Sequence, residues 1–196
     1  MNSRDQILAA VKKNQPALQP LPALADLQAI RFTHPVEKFT EVLTSIGADV
    51  RTGYDLNAIA TFIDGNFTEG RRFLGNIPGL PGVGSLDSTV DTHTLEDLEV
   101  FVLKAGFGVA ENGAVWVTDA QVQERVLPFI CQHLVVILDP ATIVNNMHEA
   151  YERIGNQDYH FGLFIAGPSK TADIEQSLVL GAHGPKTMTL FLNGGI

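Results

Sequence analysis

One cysteine in 196 residues removes whole classes of chemistry at the outset. Cys131 can close no disulfide within the chain, and alone it can hold neither a four-cysteine iron–sulfur cluster nor a structural zinc. Its place in the apolar run Leu127 to Leu138 reads as a buried structural thiol rather than a nucleophile. Basic residues are scarce too: 13 Lys and Arg face 22 Asp and Glu, for a net charge of −9 and a pI near 5.0. Such a surface repels phosphate backbones, and no Lys/Arg-rich run offsets it, so nucleic acid is not an expected partner. No apolar run reaches the length of a membrane span. Met1 to Lys13 mixes charges into a short amphipathic pattern where a signal peptide would be continuously apolar. The expectation is a cytoplasmic protein. No three His, Cys or carboxylate residues recur at metal-ligand spacing, so no bound metal is expected.

What is present is a body rich enough to fold. Hydrophobic residues make up 45% of the chain and charged residues 18%, values of an ordinary globular protein rather than a disordered one. The length suits one globular domain. Residues 1–34 read as an appendage, with a helix capped by Ser3 and running to about Lys13, then an arm carrying Pro16, Pro20 and Pro22. That arm is expected to lie over the main domain or a neighbouring subunit, which makes a homo-oligomer one expectation.

Residues 35–196 alternate helical and strand patterns. Val36, Phe39, Val42, Leu43 and Ile46 form a helical stripe opened by Pro35 and closed by Gly47. A strand at Ala48–Arg51, a helix capped by Asp55, a strand at Arg71–Leu74 and a Gly/Pro loop at 76–85 follow. Strands are predicted at Glu99–Leu103, Ala114–Thr118, Leu134–Leu138, Phe161–Ala166 and Thr187–Leu192, with helices at Gln121–Arg125, Thr142–Ile154 and Ala172–Leu180. Buried, non-alternating strands separated by helices argue for an α/β fold: an open, mostly parallel sheet covered by helices on both faces, with ligand-facing loops at the carboxyl ends of its strands.

Two stretches concentrate chemistry. In Phe161 to Pro185 an apolar strand breaks at Gly167-Pro168, and Ser169, Thr171, Asp173 and Glu175 crowd the start of the predicted helix. Free N–H groups and the dipole favour an anion there, while side-chain capping by Thr171 or Asp173 is the plainer explanation. Gly106-Phe-Gly-Val-Ala-Glu111 nearly spells a dinucleotide fingerprint, but a carboxylate stands where the third glycine belongs, which argues against such a site. The neighbouring Asn112-Gly113 is also a strong hairpin signal, with positive φ at both residues.

The wording of these stretches closely resembles the lactate-utilisation (LUD) domain family, in particular its protein C members. The resemblance is carried by Gly167-Pro168-Ser169-x-Thr171-Ala172-Asp173-Ile174-Glu175, by Gly181-x-His183-Gly184-Pro185 and by the turn Gly108-Val-Ala-Glu111-Asn112-Gly113-Ala114. Leu127-Pro128 followed by His133-Leu-Val-Val136 adds a further match in the family's order, and together they cover about Leu98 to Leu192. Asn112 and Ala114 depart from the family pattern, which has Thr at both.

The resemblance implies a fold like that of glucosamine-phosphate deaminase, ribose-phosphate isomerase and the class I CoA-transferases. It also implies a component of a cytoplasmic system that oxidises L-lactate to pyruvate beside an iron–sulfur oxidoreductase subunit and a cysteine-rich subunit. Clusters would sit on those partners, with no cofactor held by this chain. Gly167, Ser169, Thr171, Asp173, Asn112, Gly113 and His133 are then candidate contacts to a small anionic metabolite, with Glu111 and His183 as candidate proton-transfer groups. A strand-edge histidine is the plainer reading of His133. Two alternatives remain: an autonomous acyl-CoA transferase or sugar-phosphate isomerase with Glu111 as nucleophile or base, and a non-catalytic structural subunit.

Overall fold

The structure is a computed structural model that describes residues 2–20, 28–67, 72–86, 91–172, 178–181 and 183–194. Along the chain, α1 (Ser3–Lys13) is capped by Asn2, whose side chain accepts from the Asp5 amide at 2.9 Å. Ser3, the expected cap, is the first helical residue, because Asn2 offers an equally good acceptor one position earlier. Pro35 opens α2 (Pro35–Ser45), where its fixed φ is already helical, and Gly47 follows its end at φ +98°. Next come β1 (Asp49–Thr52), α3 (Leu56–Asn66) and β2 (Arg72–Gly75), with Asp55 capping α3 through the Ala58 amide at 2.7 Å.

The second half holds β3 (Leu98–Lys104), β4 (Phe107–Val109), β5 (Ala114–Thr118), α4 (Asp119–Val122), α5 (Leu127–Ile130) and β6 (His133–Leu138). It ends with α6 (Met147–Ile154), β7 (Gly162–Ile165), β8 (Lys170–Ala172), β9 (Leu178–Leu180) and β10 (Thr187–Leu192).

The central sheet is parallel throughout, in the order β1-β10-β6-β3-β2, so the last strand inserts between β1 and β6. Its middle strands are apolar along almost their whole length, which only a sheet covered on both faces can bury. Phe101, Leu103, Val136, Leu138 and Leu190 point to one face, where they meet Phe39 and Leu43 of α2. Val100, Val102, Val135, Ile137 and Phe191 point to the other, against Ile59 and Ile63 of α3. Over the α2 face lies a second, antiparallel sheet, β4-β5-β7. Val115 and Val117 of β5 pack inward on the shared core, while Trp116 faces Phe107, Phe164 and the α6 residues Ala150 and Ile154.

The α/β architecture with a mostly parallel central sheet is as the sequence predicts, but five details differ. Phe161–Ala166 is not a fully buried strand: β7 is half-buried, because it forms the edge of the antiparallel sheet. Both described ends of the helix expected at Ala172–Leu180 are strand instead, since Lys170–Ala172 and Leu178–Leu180 pair as an antiparallel two-stranded ribbon; 173–177 fall outside the described residues. Backbone pairing of Ser169 with Gly181 and Pro185 brings the two ends of this segment together. The helix expected from Thr142 starts at Met147, capped by Asn146, and that expected at Gln121–Arg125 is α4, ended by Gln123 at φ +55°. Residues 15–20 of the arm are exposed rather than laid over the domain; 21–27 fall outside the described residues.

Candidate functional site

The β7–β8 loop and the run before β10 come together at the amino ends of the parallel strands. The Ser169 amide donates to the Pro185 carbonyl at 2.9 Å, and the Gly181 amide donates to the Ser169 carbonyl at 3.1 Å. Gly167, at φ +74°, brings the loop against Ile46, where a Cβ would lie 3.2 Å from the Ile46 carbonyl oxygen. Only glycine meets both demands at low cost. Gly184 approaches so closely that its Cβ would stand 3.0 Å from that of Ser169.

Between these segments and α5 lies a cleft of about 300 Å³, lined by residues 163–170, Pro128, Phe129 and His183 to Pro185. One wall is apolar, from Phe129, Leu163, Phe164, Ile165 and the prolines. The other presents Ser169, Lys170 and His183, with no carboxylate among the described lining residues. Lys170 and His183 are exposed, and neither they nor the Ser169 hydroxyl bonds to another described side chain.

The predicted site residues therefore separate. Gly167, Ser169 and His183 share the cleft. Thr171 lies in β8, just beyond it, and Asp173 falls outside the described residues. At Lys170–Ala172, where the helix start proposed for the anion would begin, the described chain is strand β8. Phe129 and Lys170 complete the cleft although no motif position named them. Lys170 occupies the variable place between Ser169 and Thr171, and its signal was its charge in an acidic chain. The expected carboxyl-end location is also wrong for this cleft. Pro128-Phe129 precede β6 and His183 to Pro185 precede β10, so the walls stand at the amino ends.

His133 does not join it. Its ring packs on Phe67 with centroids 4.5 Å apart, and its Nδ1 lies 2.7 Å from the Thr187 hydroxyl. Strand pairing and stacking use this residue as a strand-edge histidine.

Glu111 sits in a separate corner. Its amide donates to the Asn145 carbonyl at 3.0 Å, and its Oε1 accepts from the Met147 amide at 3.1 Å, so the carboxylate caps α6. Asn146 caps the same helix through the Glu149 amide at 3.0 Å. Asn112 folds back, its Oδ1 accepting from the Ala114 amide at 3.0 Å, and only Gly113 has positive φ. A two-residue hairpin turn with both residues at positive φ is thus replaced by a longer loop, closed by the Gly113 amide on the Val109 carbonyl at 2.9 Å. A Cβ on Gly113 would come within 3.1 Å of the Leu43 backbone, which fixes this turn against α2.

The chain preceding α2 is strapped to the same corner. The Phe32 amide donates to Asn145 Oδ1 at 2.9 Å, buried Asn146 donates to the Ile30 carbonyl at 2.8 Å, and Arg31 reaches Glu149 at 3.4 Å. Burial pushes the Glu149 carboxyl up, but hydrogen bonds from Asn145 and the Arg31 charge outweigh it and hold the group below the ordinary glutamate range. These asparagines had a legible signal in Asn146-x-x-Glu149, a capping pattern that a helix started at Thr142 concealed. Cys131 is buried beneath α5, and burial pushes its thiol up to about 12. No group of three potential metal ligands occurs among the described residues, and no described helix is long and apolar enough to cross a membrane.

Comparison with known proteins bears on both corners. The family described as the LUD domain matches residues 85–192, more than half of the chain. Lactate utilization protein C of Bacillus pumilus is 34% identical over 90 residues, covering 43% of this chain and 38% of that protein. Its counterpart in Shouchella clausii is 31% identical over 127 residues, covering 59% and 56%. The matched segments thus span 38% and 56% of the length of these relatives. A DUF162 family protein from Deinococcus radiodurans superimposes with a TM-score of 0.61 at 15% identity, over 84% of this chain and 99% of the other, and so shares the fold.

Proposed function

The chain belongs to the LUD domain family, and from that premise we propose that it is a lactate-utilisation protein C-like component whose cleft at Ser169, Lys170 and His183 binds a small carboxylate or phosphate. The observation that carries the proposal is the charge of the cleft. In a protein of net charge −9, the described residues of its lining include a lysine and a histidine and no acidic residue. Such a reversal of sign attracts an anion against the field of the whole molecule. Lys170 supplies the fixed charge, the Ser169 hydroxyl a donor, and His183 a group able to donate or accept a proton beside the ligand. Phe129 and the proline-lined wall take the ligand's carbon skeleton.

In this reading the chain serves a system that oxidises L-lactate to pyruvate; its relatives are named for lactate utilization. That oxidation releases two electrons and two protons. A lone buried thiol cannot bind a cluster to receive the electrons, so iron–sulfur partner subunits take them while this chain holds the acid. Isothermal titration with L-lactate, pyruvate and inorganic phosphate tests the binding. At least one should bind the wild type, with affinity lowered about tenfold or more in Lys170→Ala, the loss expected when a charge-assisted contact is removed. Binding by none of them, or binding indifferent to Lys170→Ala and Ser169→Ala, would sink the proposal.

A further inference from the structure

Every residue from Asn2 to Pro20 is exposed, and α1 buries none of its side chains. Its apolar residues are nevertheless gathered on one face. Ile7, Leu8 and Val11 stand at i, i+1 and i+4 and are 61%, 51% and 57% exposed. A helix of 11 residues without tertiary contacts is marginal in water, even in an alanine-rich sequence. The Asn2 cap offsets only part of that deficit, about 1 kcal/mol. A stable α1 therefore needs a surface over Ile7, Leu8 and Val11.

Charge identifies the surface. Arg4, Lys12 and Lys13 against Asp5 make α1 basic, whereas the whole chain carries −9, so the body that remains is more acidic still. A basic helix is drawn to a body of that sign. The other end of the arm is fixed, since Ile30, Arg31 and Phe32 are held by Asn146, Glu149 and Asn145. Sixteen residues separate Lys13 from Ile30. At about 3.3–3.6 Å each when extended, that length of chain can reach roughly 50 Å. A body of this size has a radius of gyration of only about 15 Å, so the helix can reach across to a neighbouring molecule.

We propose that α1 docks through Ile7, Leu8 and Val11 on the acidic body of a second copy of this chain, with each copy of a twofold pair lending its arm to the other. Reciprocal exchange doubles the apolar area covered and places each basic helix on the opposite body. An anionic membrane is the rival surface for a basic amphipathic helix. It fits less well, because the face of α1 carries no aromatic residue and the acidic body behind it would be repelled by the same lipid charge.

Sedimentation velocity of the full chain across micromolar concentrations tests this, beside Ile7→Asp/Val11→Asp and Lys12→Glu/Lys13→Glu. The wild type should form a dimer that weakens as salt rises. The apolar double variant should be monomeric, and the charge double variant should dissociate at least about tenfold more readily, with body melting unchanged in both because neither touches a buried residue. A wild type that stays monomeric would overturn the proposal, as would a dimer indifferent to Ile7→Asp/Val11→Asp. A monomer that co-sediments with phosphatidylglycerol vesicles through α1 would overturn it in favour of the membrane.

Discussion

The two motif regions of this chain use their polar groups in opposite ways. At the Glu111 corner, the carboxylate, Asn112, Asn145, Asn146 and Glu149 are all engaged with backbone amides, with one another or with the strap at Ile30 to Phe32. At the Ser169 cleft, backbone pairing sets the shape, while the Ser169 hydroxyl, Lys170 and His183 bond to no other described side chain. A carboxylate already accepting from a helix amide would have to break that cap before it attacked an acyl group. Polar side chains that converge on a cleft without internal partners remain available to a ligand. The same family motif set thus contains one region that holds the fold and one that is open to chemistry.

Substitutions should therefore divide along this line. Gly113→Val should cost most, roughly 3 kcal/mol, because it forces a β-branched residue to φ +69° and drives a Cβ toward the Leu43 backbone. Urea unfolding measures it, and an unchanged midpoint would show that the turn yields. Glu111→Ala should cost about 1 kcal/mol by stripping the acceptor from the first turn of α6. If it left stability unaltered and abolished ligand binding instead, the division of labour would be reversed.

Acid should loosen the strap next. Glu149 is held below its ordinary value of 4.5 in the folded chain, so its contribution is complete above about that pH and fades as pH falls through the lower folded value. Hydrogen exchange at the Phe32 amide should accelerate over that acid range and not between neutrality and pH 5. The smallest stability effects belong to Ser169→Ala and Lys170→Ala. Each should stay within about 0.5 kcal/mol of the wild type in the same urea assay, since neither side chain bonds within the described structure.

Much of the central sheet was legible in the sequence because its strands are continuous apolar runs. Thr187–Leu192 coincides with its predicted bounds and Leu134–Leu138 lacks only His133, while in the second sheet Ala114–Thr118 coincides as well. Helix starts written in side chains were equally plain at Pro35 and Asp55. What escaped was decided by partners distant in sequence. Nothing local to residues 170–180 announces the ribbon, because Ser169 is tied to Pro185 and Gly181 across the intervening chain. The capping signals there were real as composition, yet the pairing of Lys170–Ala172 with Leu178–Leu180 is tertiary. The edge position of β7 in the second sheet was hidden for a related reason: β7 reads as a buried strand by hydrophobicity, while its half-burial follows from lying at an edge.

Of the site, the glycines and Ser169 were legible as wording and His183 as a turn histidine. Their meeting with Phe129 depended on the β6 and β10 amino ends lying side by side. Glu111 was legible as an unusual residue in a glycine turn but not as a cap, since its partner Met147 is 36 residues away.

Amide chemical-shift mapping during titration with pyruvate tests the assignment of roles most directly, because it reads both corners in one experiment. The predicted result is saturable movement at Gly167, Ser169, Lys170 and Gly184, with Glu111, Gly113 and Met147 unmoved. Saturable movement centred on Glu111 and Met147, with the Ser169 loop silent, would contradict it.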